Sequence, residues 1–406
     1  MTTRLLSAQK SRSATFIAAG LVWSLGILIV NILPVVFQAL HESRGLSDEQ
    51  LGAIGTAFVL GSGITSAAGP FWVYRLNPRW ASVAALLATA AGFAGVAFLS
   101  APSNQVYWWF AIGLANGCVA TPAFTALGYG KNPLRAYSLA LFVSTAIASV
   151  ASFTLPLLVA RFGDRGLLTA LAVLFVLALP LALMLSSVWT NASALPEASA
   201  HAPTLPESSI TRRVTLASPL LAALAGSIFT GVFMGGIYNF ADAIATTVGV
   251  QAHAVGLIVA VSLVGALAGA LLPSILSERV NSTIVIGGAS LVVMSCYLGM
   301  MSGSTILFGV AFVIHGGFST LIYTYYLGVV RRLDFTNRIY VAYPALQSLG
   351  LAAGTSFAGM VLARYSPTVL FVVSAALVTA TWLCLAIAQW LAAPSRVRRG
   401  AMATGS

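Results

Sequence analysis

Charged side chains are scarce in this sequence. They account for 7% of its 406 residues, whereas about 25% of the residues in a soluble domain are charged. Hydrophobic residues make up 59% of the chain, and its mean hydropathy is +0.94. This composition excludes a soluble globular protein and is typical of a chain that crosses a membrane many times.

Acidic residues are even scarcer than basic ones, which leaves a net charge of +11. A strongly basic chain can bind nucleic acid through a charged stripe interleaved with aromatic side chains. Here the basic residues lie singly or in short groups between apolar runs. We therefore expect no nucleic-acid partner.

Cysteine is also rare, and no paired spacing is present. Cys118, Cys296 and Cys384 each lie inside an apolar run, so neither a disulfide framework nor a zinc site is indicated. The sequence has no phosphate-binding loop ending in Gly-Lys-Ser/Thr and no polar region large enough for a nucleotide-hydrolysing domain. We expect no metal and no cofactor, and any energy requirement would be met by a gradient.

Twelve apolar runs are each long enough to cross about 30 Å of hydrocarbon. Because lipid offers no water to the backbone, each run predicts a helix. The runs cover 14–40, 48–74, 80–99, 105–127, 135–159, 166–188, 216–248, 255–276, 284–301, 305–330, 339–363 and 369–392.

The polar intervals divide the chain into two units of six helices. We predict a first unit over 1–189, a flexible cytoplasmic linker over 190–213, a second unit over 214–393 and a disordered cytoplasmic tail over 394–406. Placing both termini in the cytoplasm puts all the basic residues inside except Arg44, Arg161, Arg165 and Arg364, as the positive-inside rule requires. The short loops favour the inner (cytoplasmic) membrane of a bacterium.

The stretch 51–78 is repeated in the second unit. Four pairs of residues match without a gap at a constant separation of 204 residues: Gly52 and Gly256, Gly61 and Gly265, Arg75 and Arg279, Asn77 and Asn281. Weaker matches pair Asn31 with Asn239, Asn116 with His315, and Arg135 with Arg338. An internally duplicated six-helix unit is typical of secondary transporters.

Twelve helices in two halves, a central linker and a repeated Arg-x-Asn loop together resemble the major facilitator superfamily over essentially the whole chain. That family's loop signature is Gly-x-Leu-x-Asp-Arg-x-Gly. The second copy, Glu278-Arg279-Val-Asn281, keeps the acid and the arginine, whereas the first, Tyr74-Arg75-Leu-Asn77, has tyrosine in place of the acid. The resemblance implies an all-α membrane protein with twelve transmembrane helices in two pseudo-symmetric six-helix bundles.

The resemblance also implies a function. We expect a monomeric secondary transporter, not an enzyme, that works by alternating access and moves a small molecule by proton-coupled symport. Efflux antiport of amphipathic compounds and facilitative uniport remain open, as does the more remote class of polytopic membrane enzymes. Drug/proton antiporters of the family carry an arginine where this chain has Gly113, and a Gly-Pro motif that is missing from 144–153. Both departures disfavour drug export.

By the same resemblance, helices 1, 4, 7 and 10 would line a central cavity. Asp242 and His315 are the candidate proton-binding residues, since ionisable groups at membrane depth are costly. Asp242 could instead be solvated at the extracellular mouth, and His315 could be a neutral core residue. No Lys or Arg lies in the middle of these helices, so we expect a neutral, zwitterionic or weakly charged solute, which could be aromatic.

The candidate substrate contacts are polar or aromatic residues of the same helices. They are Asn31, Asn116, Tyr238, Asn239, His315, Trp23, Phe124 and Tyr323, with Tyr325 as a further aromatic candidate. The asparagines could equally bond between helices, and the aromatic residues could face lipid or core.

Charged residues at the cytoplasmic helix ends form a candidate inner gate, as the resemblance implies. The gate residues are Arg75, Arg79, Arg135, Glu278, Arg279, Asp334 and Arg338. The alternative is that the arginines only set the topology.

Overall fold

The computed structural model describes residues 2–128, 133–185, 209–276, 281–333 and 338–403. All the regular secondary structure in these ranges is helical. The first half of the chain forms α1 (Thr2–Arg44), α2 (Asp48–Ala67), α3 (Gly69–Trp72), α4 (Pro78–Phe98), α5 (Gln105–Gly128), α6 (Pro133–Leu177) and α7 (Leu179–Leu183). The second half forms α8 (Ser209–Asn239), α9 (Ala241–Thr247), α10 (Ala252–Leu276), α11 (Ser282–Met300), α12 (Thr305–Leu333), α13 (Arg338–Arg364) and α14 (Pro367–Ala403).

Each predicted apolar run falls on helical segments, and the second and seventh runs each cover two of them, α2 with α3 and α8 with α9. The fifth run and the first part of the sixth lie in α6, which reverses at Gly163, where φ is 66° and ψ is −167°. A positive φ of this kind favours glycine. Ten helices within the described ranges are long and apolar enough to span a membrane. The 45-residue candidate 139–183 contains two crossings, and α2, which lies between α5 and α13, is the twelfth predicted crossing.

Two expectations about the polar segments need correction. The tail was expected to be disordered, yet α14 continues to Ala403, since no proline or glycine interrupts the residues that follow Pro394 until Gly400. The helix α8 already begins at Ser209, inside the predicted linker. The rest of that linker, up to residue 208, lies outside the described residues.

The repeated asparagine caps a helix in both halves. The Oδ1 atom of Asn77 accepts a hydrogen bond of 3.0 Å from the backbone N–H of Arg79, and Asn281 accepts one of 3.0 Å from Thr283 in the same way. Such a cap satisfies a backbone donor that the first turn of a helix leaves free. The asparagine of the repeated motif therefore has a structural role at the start of α4 and α11.

Glycines allow the same close helix packing in both halves. A Cβ on Gly61 of α2 would lie 2.5 Å from the carbonyl oxygen of Phe110 in α5, and a Cβ on Gly265 of α10 would clash with the carbonyl of Val313 in α12. Small residues let membrane helices approach closely. The duplication seen in the sequence is thus also a duplication of packing.

The bundle has two ends, which we name after one residue each. The Gly45 end holds the turn between α1 and α2, and the Asn77 end holds the cap of α4. The distribution of basic residues predicts that the Gly45 end is extracellular and the Asn77 end cytoplasmic. The two halves contact each other mainly through α2 with α13 and α6 with α10.

Candidate functional site

A cavity of about 220 Å³ lies between the two halves. Four helices of the first half (α1, α2, α5, α6) and four of the second (α8, α10, α12, α13) line it. Among the described residues that line the cavity there is no Asp, Glu, Lys or Arg. The wall is therefore formed by apolar side chains, hydroxyls, amides and one imidazole.

Seven of the predicted site residues meet in this cavity. They are Trp23, Asn31, Phe124, Tyr238, Asn239, His315 and Tyr323. Asn116 does not line it, because its Nδ2 atom donates a 2.6 Å hydrogen bond to the backbone carbonyl of Gly26 and the side chain is fully buried. Asn116 thus joins α5 to α1. Tyr325 is buried and also does not line the cavity.

Tyr238 connects the two halves. Its hydroxyl in α8 donates a 2.6 Å hydrogen bond to the backbone carbonyl of Asn31 in α1. The side-chain amide of Asn31 has no hydrogen bond within the described part of the chain and is half-buried at the cavity wall. Asn31 therefore contributes its backbone to the contact between halves, while its side chain lines the cavity.

Asn239 is partly committed to its own half. Its Nδ2 atom donates a 2.8 Å hydrogen bond to the hydroxyl of Thr355 in α13. The pairing is buried and joins α8 to α13. Of the two asparagines at matching positions, Asn31 is thus the better placed to contact a solute.

His315 lies in the middle of α12 and is 3% exposed. Its ring packs against Phe233, Tyr297 and Phe312, with centroid distances of 6.4, 5.6 and 6.2 Å. The Nε2 atom is buried and has no hydrogen-bond partner among the described residues. A polar atom left in this way carries a desolvation cost that a bound solute can offset.

Aromatic side chains form one wall of the cavity in the first half. Trp23 of α1 and Phe124 of α5 lie 6.2 Å apart between ring centroids. Behind them, Tyr137 packs 4.6 Å from Phe124 and donates a 2.8 Å hydrogen bond to the Phe124 carbonyl. Tyr137 thereby fixes the position of this wall.

Asp242 lies outside the cavity. It occupies the first turn of the short helix α9, beyond the end of the span 218–239, and its Oδ1 atom is buried without a hydrogen-bond partner in the described ranges. Burial raises the pKa of this carboxyl, the nearby Glu42 and Asp48 raise the pKa further, and His41 lowers it. The structure therefore separates the two proton-binding candidates instead of bringing them together.

Only two residues of the candidate gate, Arg75 and Arg79, have side chains that the structure describes. Arg75 is exposed, and Arg79 donates a 2.7 Å hydrogen bond from Nε to the carbonyl of Leu185 at the end of the first half. That contact stays within one half and does not latch the two together. Glu278, Arg279 and Asp334 lie outside the described residues, as do the side chains of Arg135 and Arg338.

Half of the lining helices were missed by the sequence analysis. Polar side chains from α2, α6, α10 and α13 reach the cavity, among them Ser62, Thr145, Ser262 and Gln347. A glutamine inside an apolar run, such as Gln347, was a signal that could have pointed to α13.

The cavity is capped on the side of the Gly45 end. Contacts between halves include the hydrogen bonds from Thr56 to the Ala352 carbonyl (3.0 Å) and from Ser149 to the Ala260 carbonyl (2.9 Å), and the ring contact of Phe37 with Phe240 (5.6 Å). On each of these helices the cavity-lining residues lie nearer the Asn77 end than the contact does.

Comparison with solved structures identifies the architecture. A crystal structure of a mutant of the nucleoside transporter NupG is similar over 92% of this chain and 99% of its own, with a TM-score of 0.62 and 12% identity. The human organic anion transporter MFSD10 (TETRAN) matches over the same shares, with a TM-score of 0.62 and 15% identity. The chain has the major facilitator fold.

Comparison by sequence gives no match. No family model matches this chain, and no curated protein matches it. The central cavity lies between the two halves of the major facilitator fold, where paired repeats place their substrate sites.

Proposed function

We propose that this protein is a secondary transporter that moves a small neutral or zwitterionic organic solute through alternating access of the central cavity. The observation that supports this most is a cavity between two repeated halves whose described lining carries no carboxylate, ammonium or guanidinium group. A multiply charged anion would lack the bidentate cationic partner that it usually binds. The two units that would move are residues 1–189 and 214–393.

The direction of access follows from the cap. The Thr56–Ala352, Ser149–Ala260 and Phe37–Phe240 contacts between halves lie on the Gly45 side of the cavity, which the distribution of basic residues predicts to be extracellular. We therefore assign this conformation to access from the cytoplasm, in the inner membrane of a bacterium, with the protein as a monomer. Transport then requires the Tyr238–Asn31 hydrogen bond and the α2–α13 and α6–α10 contacts to separate in the opposite conformation.

Coupling to protons is assigned to His315, with Asp242 as a second candidate near the Gly45 end. An imidazole inside a membrane bundle is a recognised element of proton relays. Facilitative uniport is the second candidate function, because no carboxylate lines the described cavity.

Transport by protein reconstituted in liposomes tests this proposal. Neutral aromatic and zwitterionic solutes are supplied with and without an imposed pH gradient. We expect accumulation that follows the gradient, and we expect the variant His315→Asn to lose that accumulation. Flux that ignores the gradient would assign the protein to uniport, and transport of organic anions alone would contradict the proposed solute class.

A further inference from the structure

Two polar side chains on one face of α12 line the cavity. His315 and Ser319 are one turn apart, a spacing that places both on the same side of a helix. Both line the cavity, and they are 3% and 1% exposed. The Nε2 atom of His315 and the Oγ atom of Ser319 have no hydrogen-bond partner among the residues that the structure describes.

Four other hydroxyls that line the cavity donate to backbone carbonyls. Thr121, Thr145 and Thr320 each donate to the backbone carbonyl one turn earlier, at 2.7 to 2.8 Å. Ser262 donates at 2.7 Å to the carbonyl of Val259. Ser319 differs from these four, since none of the described residues accepts a hydrogen bond from its hydroxyl. A buried hydroxyl without a partner is destabilising unless something else completes it.

Aromatic rings pack against His315 and line the facing wall of the cavity. Phe312 stacks on His315 with an interplanar angle of 22° and on Tyr238 with one of 14°, at centroid distances of 6.2 and 6.3 Å. Across the cavity stand Trp23 and Phe124 of the first half. The cavity volume of about 220 Å³ is smaller than the 300–1,000 Å³ typical of pockets for drug-sized ligands. A solute with one or two rings fits these dimensions.

We propose that His315 and Ser319 recognise the N–H and C=O groups of a cyclic amide or imide. A neutral imidazole offers one ring nitrogen as an acceptor for the N–H, and the serine hydroxyl can donate to the C=O. The Asn31 amide on the facing half is available for a further polar group of the solute. This inference rests on the proposed transport function and narrows its substrate class to neutral rings with a donor next to an acceptor.

Matched pairs of ligands test whether the site recognises the adjacent N–H and C=O groups. Equilibrium binding to the purified full-length protein is measured for uridine, hypoxanthine and 5-methylhydantoin, and for analogues in which the amide N–H is methylated, such as 3-methyluridine. We expect at least one parent compound to bind and its methylated analogue to bind at least tenfold more weakly. A site that has to hydrogen-bond its ligand discriminates strongly against an analogue that lacks the group.

Variants of α12 separate recognition from folding. Ser319→Ala should weaken binding of the parent compound at least tenfold, whereas the unliganded protein should melt at the same temperature or higher, because an unsatisfied hydroxyl has been removed. Thr320→Val is the matched control: it removes a neighbouring hydroxyl that is already bonded within the helix, and the preference for the parent compound should persist. His315→Gln keeps an acceptor and should retain more of that preference than His315→Phe.

Four outcomes would overturn the inference. The first is equal binding of the parent and methylated compounds, and the second is binding of none of them while another neutral solute is transported. Either would reject recognition of the amide N–H and C=O groups and leave the proposed function standing. A lower melting temperature for unliganded Ser319→Ala would show that the hydroxyl has a structural partner. If only organic anions are bound and transported, the inference and the proposed solute class both fail.

Discussion

Arg44 and Asp164 form an ion pair that joins the end of α1 to the reversal in α6, with 2.6 Å between Nε and Oδ2. The two terminal nitrogens of Arg44 donate to the hydroxyl of Ser100 (2.9 Å) and to the carbonyl of Val96 (3.0 Å) at the end of α4. Both charged side chains are largely buried, at 14% and 11% exposure. Three helices of the first half are thus tied together at the Gly45 end.

Removing one partner of this pair should destabilise the protein. We expect Arg44→Gln to lower the free energy of unfolding by about 2–3 kcal/mol, because the carboxylate of Asp164 stays buried without its partner. The double variant Arg44→Gln/Asp164→Asn should be less destabilised than the single one. Unfolding in detergent measures both. Arg161→Gln, one turn before Asp164 and exposed, is the control, and an equal loss in that variant would contradict the role of the ion pair.

Loss of the Tyr238 hydroxyl should shift the balance between conformations. Tyr238→Phe removes a hydrogen bond that spans the two halves, and a net contribution of about 1 kcal/mol corresponds to a change of about fivefold in the equilibrium. Spin labels at Glu42→Cys and Thr246→Cys, in a background without the native cysteines, report the separation at the Gly45 end. We expect the population with a longer distance to grow. Tyr107→Phe removes an exposed phenol, and an identical shift there would refute the assignment.

Asp242 should make stability depend on pH. Burial, together with Glu42 and Asp48, raises the pKa of this carboxyl above its ordinary value of 3.8, so the folded protein favours the protonated form. Stability should therefore fall as the pH rises from about the ordinary value to the raised pKa, and it should change no further through this group above that. Asp242→Asn should remove this component and stabilise the protein at neutral pH. Melting temperatures across the pH range measure it, with Glu49→Gln as the exposed acidic control.

The fold could be predicted from the sequence because its determinants are local and repeated. The lengths of the apolar runs predict which segments are membrane-spanning helices. The repeat at a separation of 204 residues, which pairs Arg75 with Arg279, indicated two equivalent halves. The reversal at Gly163 fell between two predicted runs. The tail was the exception, because polar composition alone does not prevent a helix from continuing to Ala403.

The site could be predicted only in part. Residues at matching positions of the repeat have different roles: Asn116 hydrogen-bonds α5 to α1, whereas His315 lines the cavity. Helices that are apolar all round carry no polar face to show how they are rotated, so Ser62 and Ser262 could not be assigned to the cavity. Asp242 was predicted to bind a proton because it is charged. The break between α8 and α9, which the sequence did not show, places it outside the cavity.

Gly113 should be intolerant of any side chain. It takes the position where drug/proton antiporters of the resembled family carry an arginine, and a Cβ there would clash with the backbone carbonyl of Phe58 in α2. We expect Gly113→Ala to lower the free energy of unfolding by about 1–3 kcal/mol, because the α2–α5 contact has to open. Gly288→Ala in α11 is the matched control: nothing lies within 4 Å of a Cβ built there, and alanine should gain about 0.5–1 kcal/mol in helix propensity. The opposite signs separate close packing from the general preference of helices for alanine, and stabilisation by both variants would show that α2 and α5 are not in close contact at Gly113.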